Sequence, residues 1–142
     1  MTVVLDASVI LKWLLQDPAR EADTARASGL VESIILNRVE ILQPVHWLAE
    51  VAAVIARLSP QTAIEDVELL AAMQFPTSDQ PNVIRRATAL AIETEHHLFD
   101  TLYHAVALEH ESATFITADD RYLEKSGRYG RIVALRDWTL AA

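Results

Sequence analysis

The stretch TVVLDASVILKWLL, residues 2 to 15, places one acid between two different apolar patterns. The run Val3-Val4-Leu5 predicts a short strand that is buried on both faces, as in a parallel sheet. Beyond the acid, apolar residues recur at helical spacing, at Val9, Ile10, Trp13 and Leu14. Asp6 therefore lies at the carboxyl end of a predicted strand, the edge where open α/β folds bind ligands. Alternatively, Asp6 or Ser8 simply caps the helix that follows.

The composition is that of one globular domain. The chain has 142 residues, 51% of them hydrophobic, and we expect a single domain over residues 1–142. It contains no cysteine, which excludes disulfides and thiolate zinc sites and fits a reducing compartment. No basic segment precedes the first apolar run, and no apolar stretch reaches the roughly 20 residues that span a bilayer. We expect a soluble, cytoplasmic protein that makes no membrane contact.

The charge balance argues against nucleic-acid binding through basic side chains. The chain has 12 lysines and arginines against 20 aspartates and glutamates, a formal net charge of −8. Proteins that hold nucleic acid by neutralising its phosphates normally have the opposite sign. Either nucleic acid is not the ligand, or another positive group lies near the phosphate. A bound divalent cation would supply that charge.

The rest of the chain alternates predicted helices with short apolar strands. Strands are predicted over residues 40–43, 113–117 and 131–135, and the loop over 75–82 could hold a brief one. Helices are predicted over residues 19–37, 45–58, 62–73, 83–97, 99–111 and 121–126, with Pro18 in the first turn of the first of these. Strands separated by helices predict an α/β fold, in which a parallel sheet has helices on both faces.

A second acid lies alone in an apolar helix. In PVHWLAEVAAVIARL, residues 44–58, Glu50 is the only carboxylate. A partly buried, unpaired carboxylate is unfavourable, so Glu50 needs a partner or a cation there. The alternatives are that it pairs with Arg57 or that it points to solvent.

Two more acids stand at the starts of predicted helices. Asp100 opens the apolar helix over 99–111, and Asp119 follows a predicted strand, as Asp6 does. Each of these two aspartates could instead be a helix cap. Asp120 competes with Asp119 for the cap of the last short helix.

The joint placement of these four acids predicts a shared site. Two of them follow predicted strands, and two lie on helices that could reach the same edge of the sheet. Neighbouring carboxylates repel, by roughly 4 kcal/mol for a pair about 4 Å apart at an effective dielectric constant of about 20, unless a cation neutralises them. Oxygen ligands without cysteine point to Mg²⁺ or Mn²⁺ rather than zinc. Such a cation suits phosphoryl chemistry.

Four segments resemble, in their order and approximate spacing, the PIN domain ribonucleases. They are VVLDASV (3–9), HWLAEVAAVIAR (46–57), FDTLYHAVAL (99–108) and FITADDRYLEK (115–125). Within that family the chain most resembles the VapC toxins of bacterial and archaeal toxin-antitoxin pairs. The resemblance covers essentially the whole chain. It implies a three-layer α/β/α domain with a short parallel sheet flanked by helices.

The resemblance also implies which residues form the site. The family's acidic pocket corresponds here to Asp6, Glu50, Asp100 and Asp119. The three aspartates are expected to hold Mg²⁺ or Mn²⁺ directly or through water, and the glutamate to complete the pocket and orient the attacking water. Ser8 and Thr117 match small hydroxyl positions beside the family's site, where they would support the ligands.

Asp120 and His104 are less clearly part of the site. If the register shifts by one residue, Asp120 rather than Asp119 faces the metal, although the resemblance favours Asp119. His104 lies one helical turn after Asp100, where it either contacts a phosphate or a water or is merely a polar neighbour. The spacing of the other histidines assigns none of them to the site.

The activity implied by the resemblance is hydrolysis of RNA by an endoribonuclease that uses a metal-activated water. Its substrate would be a structured RNA, such as a transfer RNA or a ribosomal RNA loop. Its partners would be a cognate antitoxin and a second copy of the chain, bound in part by apolar helical surface between residues 22 and 73. The alternative is a non-catalytic PIN-like binding module whose acidic pocket docks a basic segment of a partner.

Overall fold

A parallel sheet forms the centre of the protein. The computed structural model describes residues 1–16 and 23–140. The strands in these residues are β1 (Thr2–Leu5), β2 (Glu40–Ile41), β3 (Gln43–Pro44), β4 (Thr77–Ser78), β5 (Ala113–Thr117) and β6 (Ile132–Ala134). Four of them form one sheet in the order β2-β1-β5-β6, and every neighbouring pair is parallel. The remaining two, β3 and β4, form a separate parallel pair.

Helices cover the faces of this sheet. They are α1 (Ala7–Leu15), α2 (Thr24–Ile35), α3 (Trp47–Leu58), α4 (Ala63–Ala72), α5 (Pro81–Thr94), α6 (Leu98–Glu109) and α7 (Asp120–Ser126). Both α1 and α6 contact β1 and β5, while α2 and α3 pack on α1 and α5 packs on α6. This arrangement confirms the predicted three-layer α/β/α fold. In the described part of the chain, no helix has the length and apolar character that a bilayer crossing demands.

The first strand, β1, is an inner strand of the sheet and is mostly buried. Val3, Val4 and Leu5 are completely buried, as the apolar run predicts. Full burial of each such side chain contributes roughly 1.5 to 3 kcal/mol. In the parallel register, Leu5 of β1 lies beside Ile116 of β5. The strand β5 continues one residue further, to Thr117, so the carboxyl ends of both strands lie at one edge of the sheet.

Most other predicted elements are found with shifted boundaries. The predicted break between helices near residue 98 lies between α5 and α6, where Glu95 adopts a left-handed φ of 51° after α5. The helix predicted from residue 19 begins at Thr24 in the described residues, and the predicted role of Pro18 lies outside them. The loop over 75–82 contains a brief strand, the two-residue β4, which is one of the two structures that its sequence allows.

The predicted strand over residues 40–43 is divided between the two sheets. The Leu42 amide still donates to the carbonyl oxygen of Val3 (3.0 Å), but the backbone then turns away, and Gln43 pairs with β4. The buried side chain of Gln43 bonds the backbone groups of Leu5 that would otherwise pair with a continuation of β2. Its Oε1 accepts from the Leu5 amide (2.8 Å), and its Nε2 donates to the Leu5 carbonyl oxygen (2.9 Å). A side-chain amide thus completes the backbone pairing of β1 just before Asp6.

We expect Gln43→Leu to lower the free energy of unfolding by roughly 2 to 5 kcal/mol, because it leaves a buried amide and a buried carbonyl of Leu5 without partners. Urea denaturation followed by circular dichroism measures this change. The matched control is Gln61→Leu at an exposed position, which we expect to change stability by less than about 0.5 kcal/mol. Equal stability of the two variants would show that the side-chain pairing does not support β1.

Candidate metal centre

Asp6 lies at the edge of the sheet where β1 and β5 end. Its amide donates to the Ile116 carbonyl oxygen (3.0 Å), which extends the pairing of the strands by one residue. The side chain is turned inward, so that the residue is only 7% exposed. This burial puts a carboxylate inside the protein, where it requires hydrogen-bond donors or a cation.

Two hydroxyl groups supply part of that requirement. Ser8 Oγ and Thr117 Oγ1 donate to the same oxygen, Asp6 Oδ2, over 2.7 and 2.8 Å. The hydroxyls are themselves fixed, because they accept from the Ala118 and Asp119 amides (3.1 and 3.0 Å). Although Asp6 occupies the N-cap position of α1, its side chain makes no capping hydrogen bond. The side chain of Asp6 therefore does not cap α1.

Glu50 reaches the same region from the first turn of α3. His46 Nε2 lies 2.9 Å from Glu50 Oε2, and the buried Tyr103 hydroxyl donates to the same oxygen over 3.4 Å. Burial, and then the charge of Glu50, raise the pKa of Tyr103, so this hydroxyl keeps its proton and remains a donor. The side chain of Glu50 is 23% exposed, and it contacts these two partners rather than the Arg57 considered from the sequence.

Asp100 and Asp119 approach each other through a histidine. Asp100 lies in the first turn of α6, and its Oδ2 is 3.1 Å from His96 Nε2. The same nitrogen is 3.8 Å from Asp119 Oδ2. On the other side of the ring, the Lys125 ammonium lies 3.4 Å from Nδ1, which leaves Nε2 as the N–H that faces the carboxylates.

Asp119 is both a helix cap and a member of this cluster. Its Oδ1 accepts from the Arg121 and Tyr122 amides (3.0 and 3.2 Å), which caps α7, and its Oδ2 is the atom that faces His96. Asp120 points elsewhere and forms an ion pair with Arg136 at the surface. This contact favours the register in which Asp119, rather than Asp120, faces the other acids.

The acids form two overlapping sets of donor atoms. In one, single oxygens of Asp6, Glu50 and Asp100 lie within 4.8 Å of one another, and in the other, His96 joins Asp100 and Asp119 within the same limit. Both sets contain Asp100. The first offers only carboxylate oxygens, the donors that Mg²⁺ and Mn²⁺ prefer. The second contains a nitrogen whose proton already points to carboxylates. The donor chemistry thus fits a hard divalent cation at the first set, with the second set beside it.

Crowding of the acids changes their proton affinity. Burial raises the pKa of Asp6 from 3.8 to about 7, opposed by the hydroxyls of Ser8 and Thr117 and reinforced by the charges of Asp100 and Glu50. Burial and the Glu50 charge likewise raise the pKa of Asp100. Two full charges about 5 Å apart repel by roughly 3 kcal/mol at an effective dielectric constant of about 20. Fully ionised carboxylates in this cluster therefore need compensating positive charge.

His104 is not part of the site. It is completely buried, its Nε2 lies 2.8 Å from the Gly130 carbonyl oxygen, and its Nδ1 lies 2.9 Å from the Tyr122 hydroxyl. Burial lowers the pKa of His104, which keeps the ring neutral and suits these two hydrogen bonds. Of the two alternatives for His104, the structure favours the polar neighbour, because both ring nitrogens have partners inside the core.

Two histidines that sequence reasoning left out do contact the acids. His46 precedes Glu50 by four residues and His96 precedes Asp100 by four, so each pair has a spacing that brings side chains together around a helix start. This spacing is a signal that the sequence contained. No comparable signal marks Tyr103, whose hydroxyl on α6 reaches Glu50 on α3 although the two residues lie far apart in the chain.

A comparison with models of protein families gives one match over most of the chain. The family model described as PIN domain matches residues 3–128. This range includes the four acids and both of the histidines that contact them. Among curated proteins, no match to the chain is found.

We expect the cation-free protein to lose stability as the pH rises from about 4 to about 7. Because Asp6 has a pKa of about 7 in the folded protein and 3.8 ordinarily, the folded state binds the proton more tightly between these values. The loss is on the order of 4 kcal/mol and is complete above the folded-state pKa. Thermal unfolding in EDTA at about pH 5 and about pH 8 measures the part of the loss between these pH values, roughly 3 kcal/mol.

Two controls accompany this measurement. Asp6→Asn has no carboxyl to titrate at this position, so its stability should depend less on pH over the same interval. Added Mn²⁺ should restore the stability of the original protein at about pH 8, since a cation that binds only the folded state stabilises it. Parallel pH profiles of the protein and Asp6→Asn would rule out a raised pKa at Asp6.

Proposed function

Because the chain belongs to the PIN domain family, we propose that it is a divalent-metal-dependent endoribonuclease and the toxin of a VapC-type toxin-antitoxin pair. PIN domains are generally nucleases, which hydrolyse phosphodiester bonds, and they generally use divalent metal ions. The finer proposal, that the substrate is RNA and the biological role is that of a toxin, follows the resemblance of the four acidic motifs to that subgroup.

The observation that carries the proposal is the convergence of Asp6, Glu50 and Asp100, whose oxygens lie within 4.8 Å of one another. Asp6 and Asp100 would hold the cation, Mg²⁺ or Mn²⁺, and Glu50 would complete the pocket. When bound, the cation would neutralise the carboxylates and a phosphate oxygen and would lower the pKa of water near it. This charge also accounts for how an acidic protein with a net charge of −8 accepts a phosphodiester.

The protein's own groups have separable roles in hydrolysis. The two hydroxyls on Asp6 Oδ2 fix the carboxylate at the bottom of the site. Glu50, oriented by His46 and Tyr103, accepts a proton from the attacking water as the water oxygen bonds to phosphorus. The bond from phosphorus to the leaving oxygen breaks, and that oxygen takes up a proton from solvent. The Nε2–H of His96 keeps Asp100 and Asp119 directed into the site.

The alternative is a binding pocket that docks a basic partner segment. Such a segment would also neutralise the acids. The depth of the site favours the enzyme, because Asp6 is only 7% exposed and a small ion reaches a buried carboxylate more easily than a guanidinium group on an alkyl chain. Activity measurements separate these two functions.

We expect the protein to cut labelled RNA with Mg²⁺ or Mn²⁺ and to lose this activity in EDTA. Asp6→Asn and Asp100→Asn should each lower the rate by roughly 100-fold or more, since even groups that only support metal ligands change activity roughly 10- to 100-fold. Gel analysis of end-labelled RNA measures the cleavage. Sequencing of RNA ends after brief expression in cells would identify the RNA that is cut.

Asp120→Asn is the matched control, because it removes a neighbouring carboxylate that points to Arg136 and not to the site. It should cut RNA like the original protein. Equal activity in all three variants would point to a contaminating nuclease or to a wrong site.

The toxin role has a second test, which is bacterial growth. Induced expression should arrest growth for the original chain and for Asp120→Asn but not for Asp6→Asn.

The proposal includes two protein partners, an antitoxin and a second copy of the chain. Exposed apolar side chains on or near α2 to α4 support a partner surface in the region between residues 22 and 73. They are Ile35, Leu36, Leu58, Ile64 and Leu69, of which Ile64 is 74% exposed.

We expect a homodimer in solution, with twice the 15.8 kDa mass of the chain. Light scattering coupled to size exclusion measures the mass. A single species of 15.8 kDa at all protein concentrations would remove the second copy from the proposal without affecting the nuclease site.

A further inference from the structure

We propose that Phe99 is a platform on which an unpaired RNA base stacks next to the phosphate that is cut. The inference rests on the proposed ribonuclease function and adds a residue that contacts the substrate beside the cut. The side chain of Phe99 is an exposed aromatic ring. In the described parts of the chain, Phe99 is the only phenylalanine, tyrosine or tryptophan with an exposed side chain, and it is 51% exposed.

Phe99 lies directly beside the acids. It precedes Asp100 in the first turn of α6. Its carbonyl oxygen is 2.9 Å from His46 Nε2, and the same nitrogen lies 2.9 Å from Glu50 Oε2. Phe99 is therefore adjacent to Asp100 in the chain and is connected to Glu50 through the His46 ring.

The exposed ring is also held in place. The His46 ring stacks on it with the ring centroids 5.2 Å apart and the planes at 26°, and the His97 ring lies 5.1 Å away at 44°. The backbone of Phe99 is fixed at both ends, because its amide donates to His97 Nδ1 (3.2 Å) and its carbonyl contacts His46. An ordered aromatic ring that is half exposed can receive a second flat ring with little further loss of freedom.

The charge of the site favours a base as the occupant. With a net charge of −8 and carboxylates next to the ring, the protein gains little RNA affinity from phosphate neutralisation by side chains. Stacking of bases on aromatic rings is independent of charge, and removal of such a ring weakens binding roughly 5- to 150-fold per base. A base reaches the ring only when it is unpaired and turned out of a helix. RNA that is unpaired at the cut satisfies all of these conditions.

The test compares Phe99→Leu and Phe99→Trp in the full chain with Mn²⁺. The substrate is an RNA that the original protein cuts, either single-stranded or annealed to its complement. We expect the original protein to prefer the single strand. Phe99→Leu, which keeps apolar volume but has no aromatic face, should raise KM for it roughly 10-fold with kcat little changed. Phe99→Trp should keep the original KM. The control Ile92→Ala removes another exposed apolar side chain, on α5, and should change neither constant.

A second measurement does not depend on cleavage. In the Asp6→Asn background, an RNA with 2-aminopurine at the cut site should lose fluorescence on binding when Phe99 or Phe99→Trp is present, and should keep it with Phe99→Leu. A fall in kcat without a change in KM or quenching would instead assign Phe99 to the orientation of His46 and overturn the stacking role. Cleavage by the original protein with unchanged KM in Phe99→Leu would refute this inference alone. Absence of any RNA cleavage would refute the proposed function and this inference together.

Discussion

The burial of one carboxylate is the constraint on which the rest of the site depends. Asp6 follows three fully buried residues of β1, so its charge is stable only where hydrogen-bond donors or a cation lie next to it. The parallel register of β1 and β5 brings Thr117 to that carboxylate, and the first turn of α1 brings Ser8. These hydroxyls satisfy one oxygen. The nearby acids of α3 and α6 then oppose ionisation of the cluster, which is why positive charge is needed to complete it.

Several residues at this edge combine a structural role with a place in the site. Asp119 caps α7 through one oxygen and faces His96 through the other. A single nitrogen of His46 lies near both the backbone of Phe99 and the carboxylate of Glu50. From sequence alone, a helix cap and a metal-site acid are competing interpretations of the same aspartate. Because a carboxylate has two oxygens, the fold can use it for both.

The acidity of the protein shapes how it would handle RNA under the proposed function. A basic protein attracts the phosphate backbone along its whole length, with a strong dependence on salt. Here attraction would be confined to one cation among carboxylates, and additional affinity would come from an uncharged ring beside them. Such a site would select a local feature of the RNA, an exposed base next to one phosphate, rather than the backbone in general.

The sequence by itself determined the α/β class, the central strand, the strand that pairs with it and the four acids, because each is encoded in a short run of neighbouring residues. It also indicated the family, whose motifs are equally local. Only the tertiary structure separated Asp119 from Asp120, placed His104 in the core and brought Tyr103 to Glu50, whereas the spacing of His46 and His96 from the acids was a local signal. The tertiary structure alone revealed that the side chain of Gln43 completes the pairing of β1. These outcomes depend on register and on contacts between segments far apart in the chain, and local patterns carry no information about either.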